Sequence, residues 1–97
     1  MYKRQVGADS HDHDLDGFLD TVNYVASADN LTSVLTTSYD FDEDDLPRGL
    51  AEKLCDAYAA LGAMGVSVIF SSGDGGVGGT QSDECNEFVP TFPSTCP

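Results

Sequence analysis

The apolar positions of this chain fall into runs of different period. Phe18, Leu19, Val22, Val25 and Ala26 recur at three- and four-residue intervals, the spacing of one helix face. They predict a helix opening near Asp16, with Asp14 or Asp16 as its N-cap. TSVLTTSY, residues 32–39, is rich in β-branched side chains and predicts a strand. An acidic run follows, DFDEDD at 40–45. Pro47 then suits the first turn of a second helix, with Asp44 or Asp45 ahead of it as cap. Leu50, Leu54, Tyr58 and Leu61 form the apolar stripe of that helix, and Gly62 or Gly65 can end it. Residues 66–72, VSVIFSS, are nearly continuous in apolar character over a strand's length, the mark of a strand covered on both faces. From Gly73 the chain is glycine-rich, then polar, then proline-bearing, and reads as loop.

Helix, strand, helix, strand, loop is an α/β order. A strand–helix–strand crossover makes its strands parallel and its connection right-handed. Two parallel strands do not form a stable sheet alone, so the run at 66–70 calls for neighbouring strands that this chain does not supply. Residues 1–15 read as an irregular N-terminal segment and 16–97 as one partial domain.

Composition narrows the partners. Ninety-seven residues suit one small domain or a piece of a larger one. Seventeen acids against four bases give a net charge of -13. That balance speaks against nucleic acid and anionic membrane, which both recognise clustered Lys and Arg. Self-repulsion on such a surface eases at low pH, which points to an acidic working medium. No apolar run reaches the ~20 residues of a membrane span. The opening MYKRQVGADSHDHD has basic residues with no apolar core behind them, so it does not read as a signal peptide. Three cysteines are an odd number for a disulfide framework. Cys85 and Cys96 bracket a loop-like segment, whereas Cys55 lies in the apolar helical stretch. This context reads as a Cys85–Cys96 disulfide, contributing roughly 3 kcal/mol in the chain-entropy model, with Cys55 a buried thiol. A disulfide implies an oxidising compartment, and the sequon Asn30-Leu31-Thr32 is compatible with one.

The candidate chemistry centres on Asp74, in FSSGDGGVGG at 70–79. Open parallel α/β sheets gather ligands and catalytic groups beyond the carboxyl ends of their strands, where Asp74 falls. The alternative is an aspartate in a tight turn, bonding its own backbone. Gly73 to Gly78 also satisfies G-x-G-x-x-G, the dinucleotide pattern. Against that reading, TQSDECNEFVP supplies no following helix to face a pyrophosphate, and a carboxylate inside the loop repels phosphate. Asp12, Asp14, Asp16 and Gly17 match the start of an EF-hand loop, but its twelfth position is Asn23 instead of the bidentate Glu. The stretch reads as a solvated acidic helix start. His11 and His13 have no cysteine at a zinc spacing and read as solvated. DFDEDD reads as a solvated, helix-capping charge run. There is no G-x-S-x-G, and no histidine in a context suited to a triad base.

At SSGDGGVGG the chain resembles the sedolisin, or serine-carboxyl peptidase, family and its fungal tripeptidyl-peptidase-like members. The family strand runs into S-S-G-D-S-G-V-G-G. Residues 60–68, ALGAMGVSV, are similar to the family's LGARGVSV junction. Thr37-Ser38-Tyr39-Asp40 and the acids after it look like S-Y-G-D-D-E, and GFLD through Asn23-Tyr24-Val25 looks like the E-P-F-L-D-W-L-N-Y-V helix. FPSTCP at 92–97 is similar to F-P-A-S-C-P, with Cys85 at the place of a partner cysteine. The resemblance covers residues 16–97 in order.

It implies a fragment of a subtilisin-like parallel-sheet fold in which Ser, Glu and Asp do the work of a Ser-His-Asp triad. It also implies secretion, an acidic working pH and peptide or protein substrates for the full-length enzyme. Calcium is implied for the full domain, through ligands near its C-terminus that are absent here; no cofactor or metal is expected in this chain. Asp74 takes the family's oxyanion-hole role, supported by the loop residues Ser72, Gly73, Gly75 and Gly76. The glycines would act as a flexible collar, bringing the Asp74 carboxyl and the backbone beside it to a scissile carbonyl. The family's catalytic Glu and Asp lie upstream of the matched region and its nucleophilic Ser downstream, in G-T-S. Asp16 and Asp20 mimic the acidic pair at a distance that fits the later helix. Gly79-Thr80 is followed by Gln81 where the serine would stand, and Gly75 replaces the serine after the aspartate. The expectation is a peptidase fragment inactive alone. The other reading is a non-catalytic remnant, or a small acidic module binding calcium through Asp12, Asp14 and Asp16.

Overall fold

The computed structural model describes residues 15–80 and 87–97. Helix α1 spans Leu15–Ser27 and helix α2 spans Arg48–Ala63. Strand β1 is Val34–Thr37, β2 is Phe41–Asp42, β3 is Ser67–Phe70 and β4 is Thr91–Phe92. The mixed α/β order read from the sequence is present, and β1 and β3 pair in parallel, Val34 opposite Ser67 through Thr37 opposite Phe70.

The helical stripes are the core. Phe18, Val22 and Val25 of α1 meet Leu54, Tyr58 and Leu61 of α2, with Val66 and Phe92 completing the buried cluster. Both triplets follow the i, i+4, i+7 spacing of one helix face. Phe18 also binds the helices to the strands. Its ring lies 5.6 Å from Phe41 and 6.4 Å from Phe70, and Tyr58 closes on Phe70 at 4.8 Å.

Helix α2 ends in a Schellman motif. Gly65, with φ of 91°, donates its N–H to Gly62, and the Val66 N–H reaches back to Leu61. The left-handed residue is the one that needs glycine, and the motif turns the chain directly into β3.

Several expectations are corrected. Asp16 lies inside α1 and does not precede it; Asp14 is outside the described residues. Pro47 itself is the N-cap of α2, with no side-chain cap, while Glu43–Asp45 form a separate 3₁₀ turn. The Pro47 carbonyl opens the helix by accepting the Leu50 and Ala51 N–H groups at 3.0 and 3.1 Å. The run at 66–72 forms β3 at 67–70, and within this segment one face of it is bare. Leu35, Val68 and Phe70 pack against the core, whereas Val34 is 51% and Ile69 54% exposed, because both helices' stripes meet the same side of the two-stranded sheet. The tail read as loop contains β4, whose Phe92 pairs antiparallel with Phe41 and is 1% exposed.

The disulfide expectation is also overturned. Cys96 is bonded to Cys55, with Cα atoms 5.3 Å apart; Cys85 lies outside the described residues. The reason is the tail's fold. β4 carries residues 91–92 onto the core, and Cys96 lands against the α2 face that bears Leu54 and Tyr58. Cys55 is therefore half of a bridge between helix and tail, and not a thiol.

Candidate functional site

Beyond the carboxyl end of β3 the chain makes a closed loop from Ser71 to Thr80. The Ser71 N–H still donates to Thr37, 3.1 Å away, so the parallel ladder continues one residue past the strand. Gly73 then turns with φ of 87°. Across the neck of the loop the Asp74 N–H donates to the Thr80 carbonyl at 3.0 Å, and the Gly75 N–H to Gly79 at 2.9 Å. Gly76–Gly78 form a 3₁₀ turn at the tip. Gly79, again with φ of 87°, brings the chain back.

Two carboxylates from the acidic run hold this neck from outside. Asp40 Oδ2 accepts the Ser71 hydroxyl at 2.8 Å and the Gly73 N–H at 3.0 Å. Asp42 Oδ1 accepts the Thr80 N–H at 2.9 Å. Both are half-buried, whereas Asp44 and Asp45 are exposed. The reading of 40–45 as a solvated, capping charge run is therefore wrong for its first and third residues. Sequence reasoning missed them because Asp40 and Gly73 are 33 positions apart. The available signal was that a strand end and an acidic pair precede a parallel partner that ends in glycines.

Asp74 itself is exposed. Among the described residues its carboxyl makes no hydrogen bond, so it does not close its own turn as an Asx residue would; backbone bonds close it instead. The N–H groups of Gly73, Asp74 and Gly75 are all engaged within the frame. The loop is thus a pinned frame and not a flexible collar, and at these three residues no backbone N–H is left to face a ligand, which leaves the Asp74 carboxyl as the side-chain group that can. Ser72 is exposed beside it, and Gly76 is exposed at the tip. The 3₁₀ turn at the tip has three residues and is no phosphate-binding helix, which speaks against the dinucleotide reading.

A cleft of about 560 Å³ flanks the loop, lined among others by Gly73, Gly76, Val77, Phe88 and Pro90, and none of the described residues that line it is charged. Val77 and Phe88 are 52% and 76% exposed, and the Val89 N–H ties the two arms by donating to Val77 at 2.8 Å. No three metal-ligating side chains stand together among the described residues. Asp12, His11 and His13 lie outside the described residues, as does Gln81. Asn30 is exposed, in the turn before β1.

Fold and site define a mixed α/β segment in which a glycine loop beyond a parallel strand presents the exposed Asp74 carboxyl, unbonded among the described residues. The same segment occurs in known peptidases. The chain is 43% identical over 86 residues, 82% of its length, to the probable tripeptidyl-peptidase SED3 of Arthroderma benhamiae. It is 39% identical over 95 residues, 92% of its length, to the tripeptidyl-peptidase SED2 of Arthroderma otae. It is thus homologous to a segment of sedolisin-type tripeptidyl-peptidases, and it spans 14% and 16% of the length of these two relatives. No protein-family model matches the chain.

Proposed function

We propose that this chain is the central strand–helix–strand portion of a secreted, acid-acting serine-carboxyl peptidase of tripeptidyl-peptidase type, and that Asp74 is its oxyanion-hole residue. The observation that carries the reading is the exposed Asp74 carboxyl beyond the end of β3, unbonded among the described residues, on a loop whose backbone N–H groups at Gly73, Asp74 and Gly75 are engaged. In acyl transfer the scissile carbonyl oxygen gains negative charge as the nucleophile adds. A preorganised donor aimed at that oxygen stabilises the tetrahedral intermediate. A carboxyl donates only when protonated, so the role suits an acidic medium. Because it stands on a braced frame, it need not reorganise as charge develops.

The rest of the reading follows the homologous peptidases. β1 and β3 are central strands of a subtilisin-like sheet, and the bare face at Val34 and Ile69 is where further structure packs. The cleft beside the loop receives a peptide substrate. Nucleophile, general base and its acidic partner come from sequence outside this segment, so the 97 residues alone hydrolyse nothing. The Cys55–Cys96 bridge and the exposed sequon at Asn30 support passage through an oxidising, secretory compartment. Among the described residues no helix is long and apolar enough to cross a membrane.

The test is hydrolysis by the complete protein. At acidic pH it is expected to release tripeptides from the free N-terminus of a peptide, while the isolated segment does not. A complete protein inert toward peptides across the acidic range would sink the reading in favour of a non-catalytic remnant.

A further inference from the structure

The Asp74 loop is braced by side chains from the acidic run, and their arrangement assigns one of them a task. The entry arm of the loop is held by Asp40, through Ser71 and Gly73, and the exit arm by Asp42, through Thr80. Between the arms run the two neck bonds from Asp74 and Gly75. A carboxyl oxygen accepts a hydrogen bond whether the group is ionised or protonated, and each acid ties its arm of the loop to the segment after β1. Glycine at both arms lets them approach. A β-carbon on Gly73 would meet the Gly79 carbonyl, and one on Gly79 would overlap the Asp42 carboxylate.

Asp40 is the asymmetric member. Among the described residues it alone grips the residue immediately before Asp74, and of the two acids it takes a side-chain and a backbone donor on one oxygen. Without it the Gly73 N–H and the Ser71 hydroxyl lose their acceptor, and the entry arm is free to rock about the Asp42 contact. A donor serves an oxyanion only within about half an ångström of its place. A misplacement of about 1 Å can cost on the order of a hundredfold in rate.

We propose that Asp40 is the positioning residue for Asp74: it touches neither substrate nor reacting atoms, and sets the place of the Asp74 carboxyl by holding Ser71 and Gly73. This rests on the oxyanion reading of Asp74. The test uses the complete peptidase with Asp40→Ala, Asp40→Asn, Ser71→Ala, Asp74→Ala and the double variant Asp40→Ala/Asp74→Ala. Asp40→Ala is expected to lower kcat by roughly ten- to a hundredfold with KM changed less than about twofold. Asp40→Asn, which keeps an acceptor oxygen, restores part of the loss. The double variant is expected to be no slower than Asp74→Ala alone, because a positioning residue has nothing to position once its client is gone. Additive losses would make Asp40 merely structural and overturn the proposal, as would an unchanged kcat in Asp40→Ala. An unchanged kcat in Asp74→Ala overturns the oxyanion reading itself, a separate failure. If Asp40→Ala does not fold, Asp40→Asn and Ser71→Ala decide: each is expected to lower kcat at unchanged KM, and wild-type rates in both overturn the proposal.

Discussion

A β-carbon on Gly73 would stand 2.5 Å from the carbonyl oxygen of Gly79, closer than real side chains come to backbone. Gly73 therefore serves a close approach as well as its left-handed turn. Gly76 has a positive φ too, 59°, but nothing lies within 4 Å of its would-be β-carbon. Gly76→Ala is expected to cost only the left-handed penalty, about 1–2 kcal/mol. Gly73→Ala must also part the arms and break the Asp74–Thr80 neck bond, so it costs more. Denaturant unfolding of the two variants checks this; equal losses would mean that the close approach does not matter.

The disulfide is directly measurable. Peptide mapping without reduction is expected to yield a peptide joining Cys55 to Cys96, with Cys85 absent from it. In the chain-entropy model a loop of this span, a sequence separation of 41, contributes about 4 kcal/mol. Cys55→Ala/Cys96→Ala should therefore lower stability by up to that amount, and Cys85→Ala should not do so by this route.

Tyr58 gives a pH dependence. Burial pushes its hydroxyl pKa well above the usual value of 10.0, because the charged form cannot be solvated there. A raised folded-state pKa means that the tyrosine's contribution is fully present below the unfolded value, about pH 10, and is lost as pH climbs further toward the folded one. Among the described residues the hydroxyl has no hydrogen-bond partner, and an unsatisfied buried group costs about 1–3 kcal/mol. Tyr58→Phe is expected to leave neutral-pH stability unchanged or raised and to flatten the alkaline loss. Chemical unfolding from pH 7 to 12 checks both, and a destabilised variant would reveal a partner for the hydroxyl.

Core and bare face separate the segment from the proposed whole. Leu61 is fully buried within the segment, so Leu61→Ala should cost about 2–5 kcal/mol. Ile69→Ala should stay within about 0.5 kcal/mol if its face is solvated, and should approach the cost of Leu61→Ala in a complete protein whose sheet is covered there. A neutral Ile69→Ala in the complete protein would contradict the subtilisin-like sheet.

Much of the architecture was legible because periodicity writes it. The stripes Phe18–Val22–Val25 and Leu54–Tyr58–Leu61, and the apolar run ending at Phe70, were each visible as spacing. What escaped was long-range. Asp40 and Asp42 look like any exposed acids until β1 and β3 lie side by side and the glycine arms come within reach. Cys96 pairs with Cys55 because Phe92 drops into the core, and a two-residue strand such as β4 leaves no periodic trace. Asp74 itself was legible as a residue beyond a parallel strand. That its carboxyl stands free while the neighbouring amides are engaged was not.

The most direct test of the account is the turnover of the complete peptidase carrying Asp74→Ala, measured at acidic pH with a peptide substrate. Loss of one oxyanion donor typically lowers kcat by about 10²–10³-fold, and that drop, with folding and KM preserved, is the predicted result. A variant that turns over at the wild-type rate would show Asp74 to be only a residue of a well-braced turn.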